Sequence, residues 1–273
     1  MPYVTNQGVR IHYEVKGQGP PLLLMPGFAG TLEDWQDFGY TQVLSKDHRL
    51  ILVDPRGRGG SDKPHEPDAY DVKLIVNDLV AILDDLKIQK THYFGYSMGA
   101  GVGFAIQIYA RRRFYSLILG GCTYPIVGNE FNDDVFVIAI QKGLEKAIAI
   151  APDRPMEVFV AEMEKITGPN PPARRTKMLA LDARALNASA QRNRLAVWPK
   201  AEEVLPQITI PCLIFAGEAD SFFAGAKKSA SLIPNATFFS LPGLNHLEAY
   251  MHSDLVLPHI KKFLAEVNKS SLH

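Results

Sequence analysis

Cysteine is scarce in this 273-residue chain, and neither sign of charge is in excess. Only Cys122 and Cys212 are present, each in or beside an apolar run, which excludes a disulfide framework or a cysteine-rich zinc site and fits two buried free thiols. The 29 Lys plus Arg balance the 29 Asp plus Glu, so no global positive field exists to condense on nucleic acid or an anionic bilayer. Long hydrophobic runs are missing too. The longest, such as Val135 to Ile140, fall far short of the roughly 20 residues that cross a bilayer. Residues 1–10 lack a basic segment followed by an apolar stretch, so a cytoplasmic protein is expected. Neither a repeat nor a low-complexity tract is found. What is there is an ordinary globular balance, 47% hydrophobic and 21% charged, with length for one domain or for a core carrying an insertion.

Short apolar runs ending in Gly, Pro or Asp recur at Leu22 to Met25, Leu50 to Val53, Thr91 to Phe94, Leu117 to Leu119, Cys212 to Ala216 and Thr237 to Leu241, and read as buried strands. Between strands, Val72, Ile75, Val76, Leu79, Val80, Leu83 and Leu86 make one helical stripe. This alternation implies an α/β fold, a mostly parallel sheet with helices on both faces. Val9 to Val15 alternates apolar and polar residues and reads as an antiparallel lead-in. After Cys122 the rhythm breaks, and no strand is expected until near Ile208. Val135 to Ile150, Met156 to Ile166 and Arg174 to Asn193 all tolerate helix. The expected organisation is therefore a core of residues 1–122 and 201–273 with a helical cap, 123–200, inserted after the strand that follows the Ser97 helix.

Thr91 to Gly101 runs from a strand through Gly95-Tyr96-Ser97-Met98-Gly99 into an apolar helix, the pattern of a nucleophile elbow. A serine on such a turn projects its hydroxyl above the sheet, and the residues two before and two after it must be small. A serine hydroxyl is a poor nucleophile until a base takes its proton, and the base needs an acid to orient it. Of eight histidines, His12, His48 and His92 fall in or beside strands, His65 in a Pro-rich loop, His252 and His259 in or near the last helix, and His273 at the end. His246 follows the strand ending at Leu241, in a loop before a final amphipathic helix with Leu255, Leu264 and Val267 on its apolar side, so it is the expected base. The strand ending at Ala216 leads into Glu218 and Asp220. Asp220 is preferred as the acid, with Glu218 its rival and a helix cap near Phe222 the alternative use of either. Backbone amides of Met98 and Phe28 are the expected oxyanion donors, since Pro26 has no N–H. Trp35, Tyr124 and Trp198 are candidate substrate contacts, and Phe131, Phe136, Phe159 and Met163 candidate cavity residues, although such positions often serve packing. Arg174, Arg175, Lys177, Arg184, Arg192 and Arg194 form a positive run, read as a solvated face or, more pointedly, as a lure for a carboxylate-bearing substrate.

Together these residues resemble the α/β-hydrolase family over essentially the whole chain, in particular its small capped serine hydrolases, a group that includes enol-lactonases, carboxylesterases, haloperoxidase-like esterases and proline iminopeptidases. Asp54-Pro55-Arg56-Gly57-Arg58-Gly59-Gly60-Ser61 is similar to the family's loop after the second parallel strand and reads as structural. The chain departs from the family at Pro26-Gly27, where His-Gly is usual, and at Tyr96, where His is common. Ser97 in place of Asp argues against haloalkane dehalogenases and epoxide hydrolases, and Tyr96 in place of Asn argues against the carbon-carbon bond hydrolases. The resemblance implies hydrolysis of an ester or lactone of a small, partly apolar molecule through an acyl-enzyme, needing no metal or organic cofactor; the expected partner is a small-molecule substrate, with neither nucleic acid nor membrane. The alternatives are an amide or carbon-carbon bond hydrolase, with Glu157, Glu162 or Glu164 holding an amine in the amide case, or a receptor with little turnover.

Overall fold

The computed structural model describes residues 2–124, 133–195 and 198–270. The chain opens with β1 (Tyr3–Asn6), β2 (Val9–Lys16) and β3 (Pro21–Met25), two short helices, α1 (Asp34–Asp37) and α2 (Tyr40–Leu44), and β4 (Arg49–Val53). Next come α3 (Val72–Asp85), β5 (Thr91–Tyr96), α4 (Met98–Tyr109) and β6 (Phe114–Gly120). Four helices follow, α5 (Asp133–Ile150), α6 (Pro155–Thr167), α7 (Pro172–Leu179) and α8 (Ala183–Leu195), and then the short α9 (Ala201–Val204). The chain returns to the sheet with β7 (Cys212–Gly217), α10 (Phe223–Leu232) and β8 (Ala236–Leu241), and ends in α11 (His246–Met251) and α12 (Ser253–Ser270).

Among the described residues the strands form one eight-stranded sheet in the order β1-β2-β4-β3-β5-β6-β7-β8. β1 and β2 pair antiparallel, as do β2 and β4, and every later pair is parallel. The parallel strands are nearly unbroken apolar runs because both their faces are covered. Alternate residues divide between two cores: Leu23, Met25, Ile51 and Tyr93 pack on the side of α3, α4 and α10, and Leu22, Leu24, Leu50 and Phe94 on the side of α2, α11 and α12. Each such side chain contributes about 1.5 to 3 kcal/mol when removed from water, so a register slip of one residue would forfeit both cores.

The stripe expected from Val72 onward forms α3, whose first turn is closed by Asp71 accepting from the Lys73 amide at 2.9 Å. The single helical stretch expected over Arg174 to Asn193 is instead two helices. Asp182 divides them: its Oδ1 accepts from the amides of Arg184 and Ala185 at 2.9 and 3.0 Å, which starts α8 afresh. Leu255, expected on the buried side of α12, is 46% exposed, because the buried phase runs through Val256, Ile260, Leu264 and Val267. Residues of α5 to α8, including Ile140, Leu144, Phe159, Val160 and Leu186, pack into a third apolar cluster of their own, which also takes in Ala29. That cluster lies over the ends of β3 and β5, where the site is found.

Candidate active site

The turn from β5 into α4 holds Ser97 at φ 52° and ψ −117°, a left-handed backbone that an L-residue adopts only under constraint. The constraint is steric. A side chain on Gly95 would come within 2.4 Å of the Gly99 backbone, and one on Gly99 within 2.2 Å of the Met25 carbonyl oxygen. Strand and helix can cross this closely only because both residues are glycine. Ser97 N–H donates to the Gly120 carbonyl at 2.8 Å, which ties the turn to β6.

Asp220 follows β7 and is almost fully buried. Its two oxygens have separate partners: Oδ1 accepts from the Phe222 amide at 3.0 Å, and Oδ2 accepts from His246 Nδ1 at 2.8 Å. The capping role and the relay contact, posed as alternatives in the sequence, thus coexist on one carboxylate. Glu218 turns outward, to the Ser240 hydroxyl at 2.8 Å. His246 was expected in a loop but is the first residue of α11, because Asn245 and Glu248 form a capping box: Asn245 Oδ1 accepts from the Leu247 and Glu248 amides, and Glu248 accepts from the Asn245 amide. Nε2 of His246 lies 3.0 Å from Ser97 Oγ. A carboxylate only accepts, so Nδ1 carries the imidazole proton and Nε2 is the acceptor for the serine hydroxyl. This chain of contacts can move a proton from Oγ to the imidazole and stabilise the resulting cation.

Two side chains make contacts around this site that the sequence alone does not announce. The Tyr96 hydroxyl donates to the His246 carbonyl at 2.6 Å, so the residue that departs from the family pattern tethers the imidazole's backbone. Arg58, from the loop read as structural, is fully buried and donates from Nη1 to the Gly27 carbonyl at 3.1 Å, and its Nη2 lies 3.2 Å from Met98 Sδ. Burial lowers its guanidinium to about 10. Gly27 lies against Ser97: a side chain there would sit 3.1 Å from Ser97 Cβ. Met98 is the first residue of α4, so its amide is one of the donors left over at a helix start.

Ser97 and His246 open into a cavity of about 80 Å³, bounded by Gly27, Phe28, Ala29 and Tyr96 below and by Ile140, Phe159, Met163 and Met178 from α5 to α7 above. Asp34, Asn170, Arg174 and Tyr250 add polar atoms to its wall. The expected aromatic contacts lie elsewhere. Trp35 is fully buried under the sheet, edge-on to Tyr40 and Tyr250 at 5.3 and 5.2 Å, where an indole fills the core. Tyr124 and Trp198 meet edge to face at 5.6 Å, and the Tyr124 hydroxyl donates to the Pro199 carbonyl at 3.0 Å. These two residues fasten the chain where it leaves the sheet for the inserted helices and where it returns. Phe159 and Met163 do line the cavity. Phe131 lies outside the described residues, as do the side chains of Phe136 and Arg194 and the terminal His273. The positive run is mostly paired outward, Arg175 with Glu164 and Lys177 with Glu33 and Asp37, whereas Arg174 turns in. Among the described residues no group of His, Cys, Asp and Glu could hold a metal ion, and no helix is long and apolar enough to cross a membrane.

Residues 20–135 match the family model described as alpha/beta hydrolase fold. A Synechocystis sp. protein provisionally named a non-heme chloroperoxidase is 29% identical over 97% of this chain and 100% of its own length. A solved esterase from Rhodococcus sp. ECU1013 is 25% identical, with a TM-score of 0.78 over 97% of this chain and 98% of that one. The enol-lactonase from Burkholderia xenovorans LB400 shares the fold at 22% identity, with a TM-score of 0.75 over 97% and 100%. The chain has the α/β-hydrolase fold. It is a hydrolase of that fold, with esterases and an enol-lactonase among its structural neighbours.

Proposed function

We propose that this hydrolase cleaves a carboxylic ester or lactone of a small, partly apolar molecule through an acyl-enzyme on Ser97. The observation that carries the reading is the continuous contact from Ser97 Oγ to His246 Nε2 at 3.0 Å and from His246 Nδ1 to Asp220 Oδ2 at 2.8 Å, opening on an apolar cavity. In this reading His246 takes the hydroxyl proton as Ser97 attacks the carbonyl, and returns it to the leaving alkoxide. It then activates water to release the acid, while Asp220 holds the imidazole in the required tautomer. The Phe28 and Met98 amides receive the charge that develops on the carbonyl oxygen. The helices of segment 123–200 serve as the cap that shapes the acyl pocket, and the partner is a small molecule. A cytoplasmic setting accords with Cys122 and Cys212 standing as thiols and not as a disulfide.

An amide hydrolase that grips a free amine is less well supported. Glu157 and Glu162 are exposed and Glu164 is engaged by Asn170 and Arg175, so none of the three faces the cavity. Labelling with a fluorophosphonate tests the reading: the native chain should label at one site and Ser97→Ala should not. A panel of short aryl esters, lactones and aminoacyl amides should show turnover on the first two. Turnover of amides alone, or equal labelling of both proteins, would overturn it.

A further inference from the structure

The cavity over Ser97 carries a second set of polar side chains that takes no part in the relay. Asp34, at the start of α1, is 3% exposed, and its Oδ2 has no hydrogen-bond partner among the described residues. Nε of Arg174, on α7, faces that oxygen from 3.8 Å and is likewise without a hydrogen bond, while the same side chain's Nη1 is engaged by Asn170 Oδ1 and Met178 Sδ. The Tyr250 hydroxyl, on the same wall, is a third buried polar atom with no hydrogen-bond partner among the described residues. Buried polar groups in native proteins are nearly always bonded. Three such groups, from positions far apart in the chain, converge on one cavity.

Their charges say what they suit. A cation would meet the Arg174 guanidinium, and an anion would meet the Asp34 carboxylate, so the pair disfavours both. The 3.8 Å separation is too long for a direct hydrogen bond, yet one oxygen atom at about 2.9 Å from each would bridge it. Such an oxygen must accept from Arg174 Nε–H and donate to Asp34 Oδ2, and a hydroxyl does both. We propose that Asp34, Arg174 and Tyr250 form a specificity subsite for an uncharged hydroxyl on the acyl part of the substrate, so that hydroxyacyl esters and lactones are the preferred class. The proposal rests on the ester-hydrolase reading and narrows it. It also sets aside a carboxylate-bearing substrate, which the positive run alone would suggest, because Arg174, the arginine that reaches the cavity among the described residues, is already balanced by Asp34.

The test compares kcat/KM at pH 7.5 for the p-nitrophenyl esters of butyric, 2-hydroxybutyric and 3-hydroxybutyric acid and for mono-p-nitrophenyl succinate. The native chain should favour the better hydroxybutyrate over the butyrate by about tenfold or more, and should place the succinate last. Asp34→Asn removes the negative charge and leaves Arg174 unbalanced, so the succinate should overtake the hydroxybutyrates. Tyr250→Phe should narrow the hydroxyl preference. Because each result is a ratio within one protein, a reduced folded fraction cancels. A second measurement avoids turnover altogether: titration calorimetry of Ser97→Ala should show 3-hydroxybutyramide binding about tenfold tighter than butyramide. Esters hydrolysed at equal kcat/KM, a native preference for the succinate, an Asp34→Asn order unchanged from native, or equal binding of the two amides would each overturn the subsite and leave the hydrolase reading standing. Absence of turnover on every ester, with the hydroxyamide still bound more tightly, would overturn the hydrolase reading and leave the subsite.

Discussion

Arg58 and Gly27 are joined by a hydrogen bond of 3.1 Å from Nη1 to the carbonyl oxygen, and that carbonyl belongs to the same peptide unit as the Phe28 N–H. A cation on the oxygen side of a peptide polarises its N–H, so a fully buried guanidinium backs the amide assigned above to the oxyanion. Replacing it by an apolar residue of similar length should leave substrate binding nearly intact and weaken the transition state. Arg58→Met is expected to lower kcat about tenfold to a hundredfold, with KM within about threefold, in steady-state assays on an aryl ester. Thermal stability should hold or rise, because burial of this charge is itself costly.

Ser97 separates catalysis from strain. Both Ser97→Ala and Ser97→Gly remove the hydroxyl proposed as nucleophile, but only glycine is at ease at φ 52°. Ser97→Gly should therefore be more stable than Ser97→Ala by about 1 kcal/mol, the reverse of the usual order, in urea denaturation.

The two oxygens of Asp220 predict two separable losses. Asp220→Asn keeps an acceptor for the Phe222 amide and loses the charge that orients His246, so kcat should fall on the order of 10³ to 10⁴-fold with little loss of stability. Asp220→Ala should lose the same activity and about 1 to 2 kcal/mol of stability as well, because the buried Phe222 amide is left without its acceptor. Kinetics and melting curves on the same samples distinguish these outcomes.

Asp34 predicts a pH dependence. Burial pushes its carboxyl up to about 6 from an ordinary 3.8, against the pull of Arg174. The folded protein then binds the proton more tightly than the unfolded chain, so this group's contribution is favourable below the ordinary value and is lost as pH rises through about 6. In Asp34→Asn that loss is absent. The stability of this variant relative to native should therefore climb, by on the order of 3 kcal/mol, between pH 4 and pH 7 in denaturation curves.

Much of this molecule is legible in its sequence, and the reason is local. Apolar runs such as Leu22 to Met25 and Cys212 to Ala216 can only be strands buried on both faces, and a glycine two residues to either side of Ser97 marks a crossing too tight for any side chain. Where the sequence misplaced a residue, competition among equivalent candidates was responsible. Trp35, Tyr124 and Trp198 are large enough to line a pocket or fill a core, and the packing of Tyr250 against the first and of the segment's two ends against the others decided for the core. The break before α8 turned on whether Asp182 would cap a helix or lie within one.

The sequence by itself determined the sheet, the strained turn at Ser97 and the order Ser97, Asp220, His246, because these follow from periodicity, from the steric demands of glycine and from the positions of loops after strands. Only the tertiary structure decided which polar residues face the cavity. Asp34, Arg174 and Tyr250 lie in unrelated segments with no shared period. What brings them together is the docking of α7 over the ends of the strands, a packing outcome that depends on the shape of every side chain between.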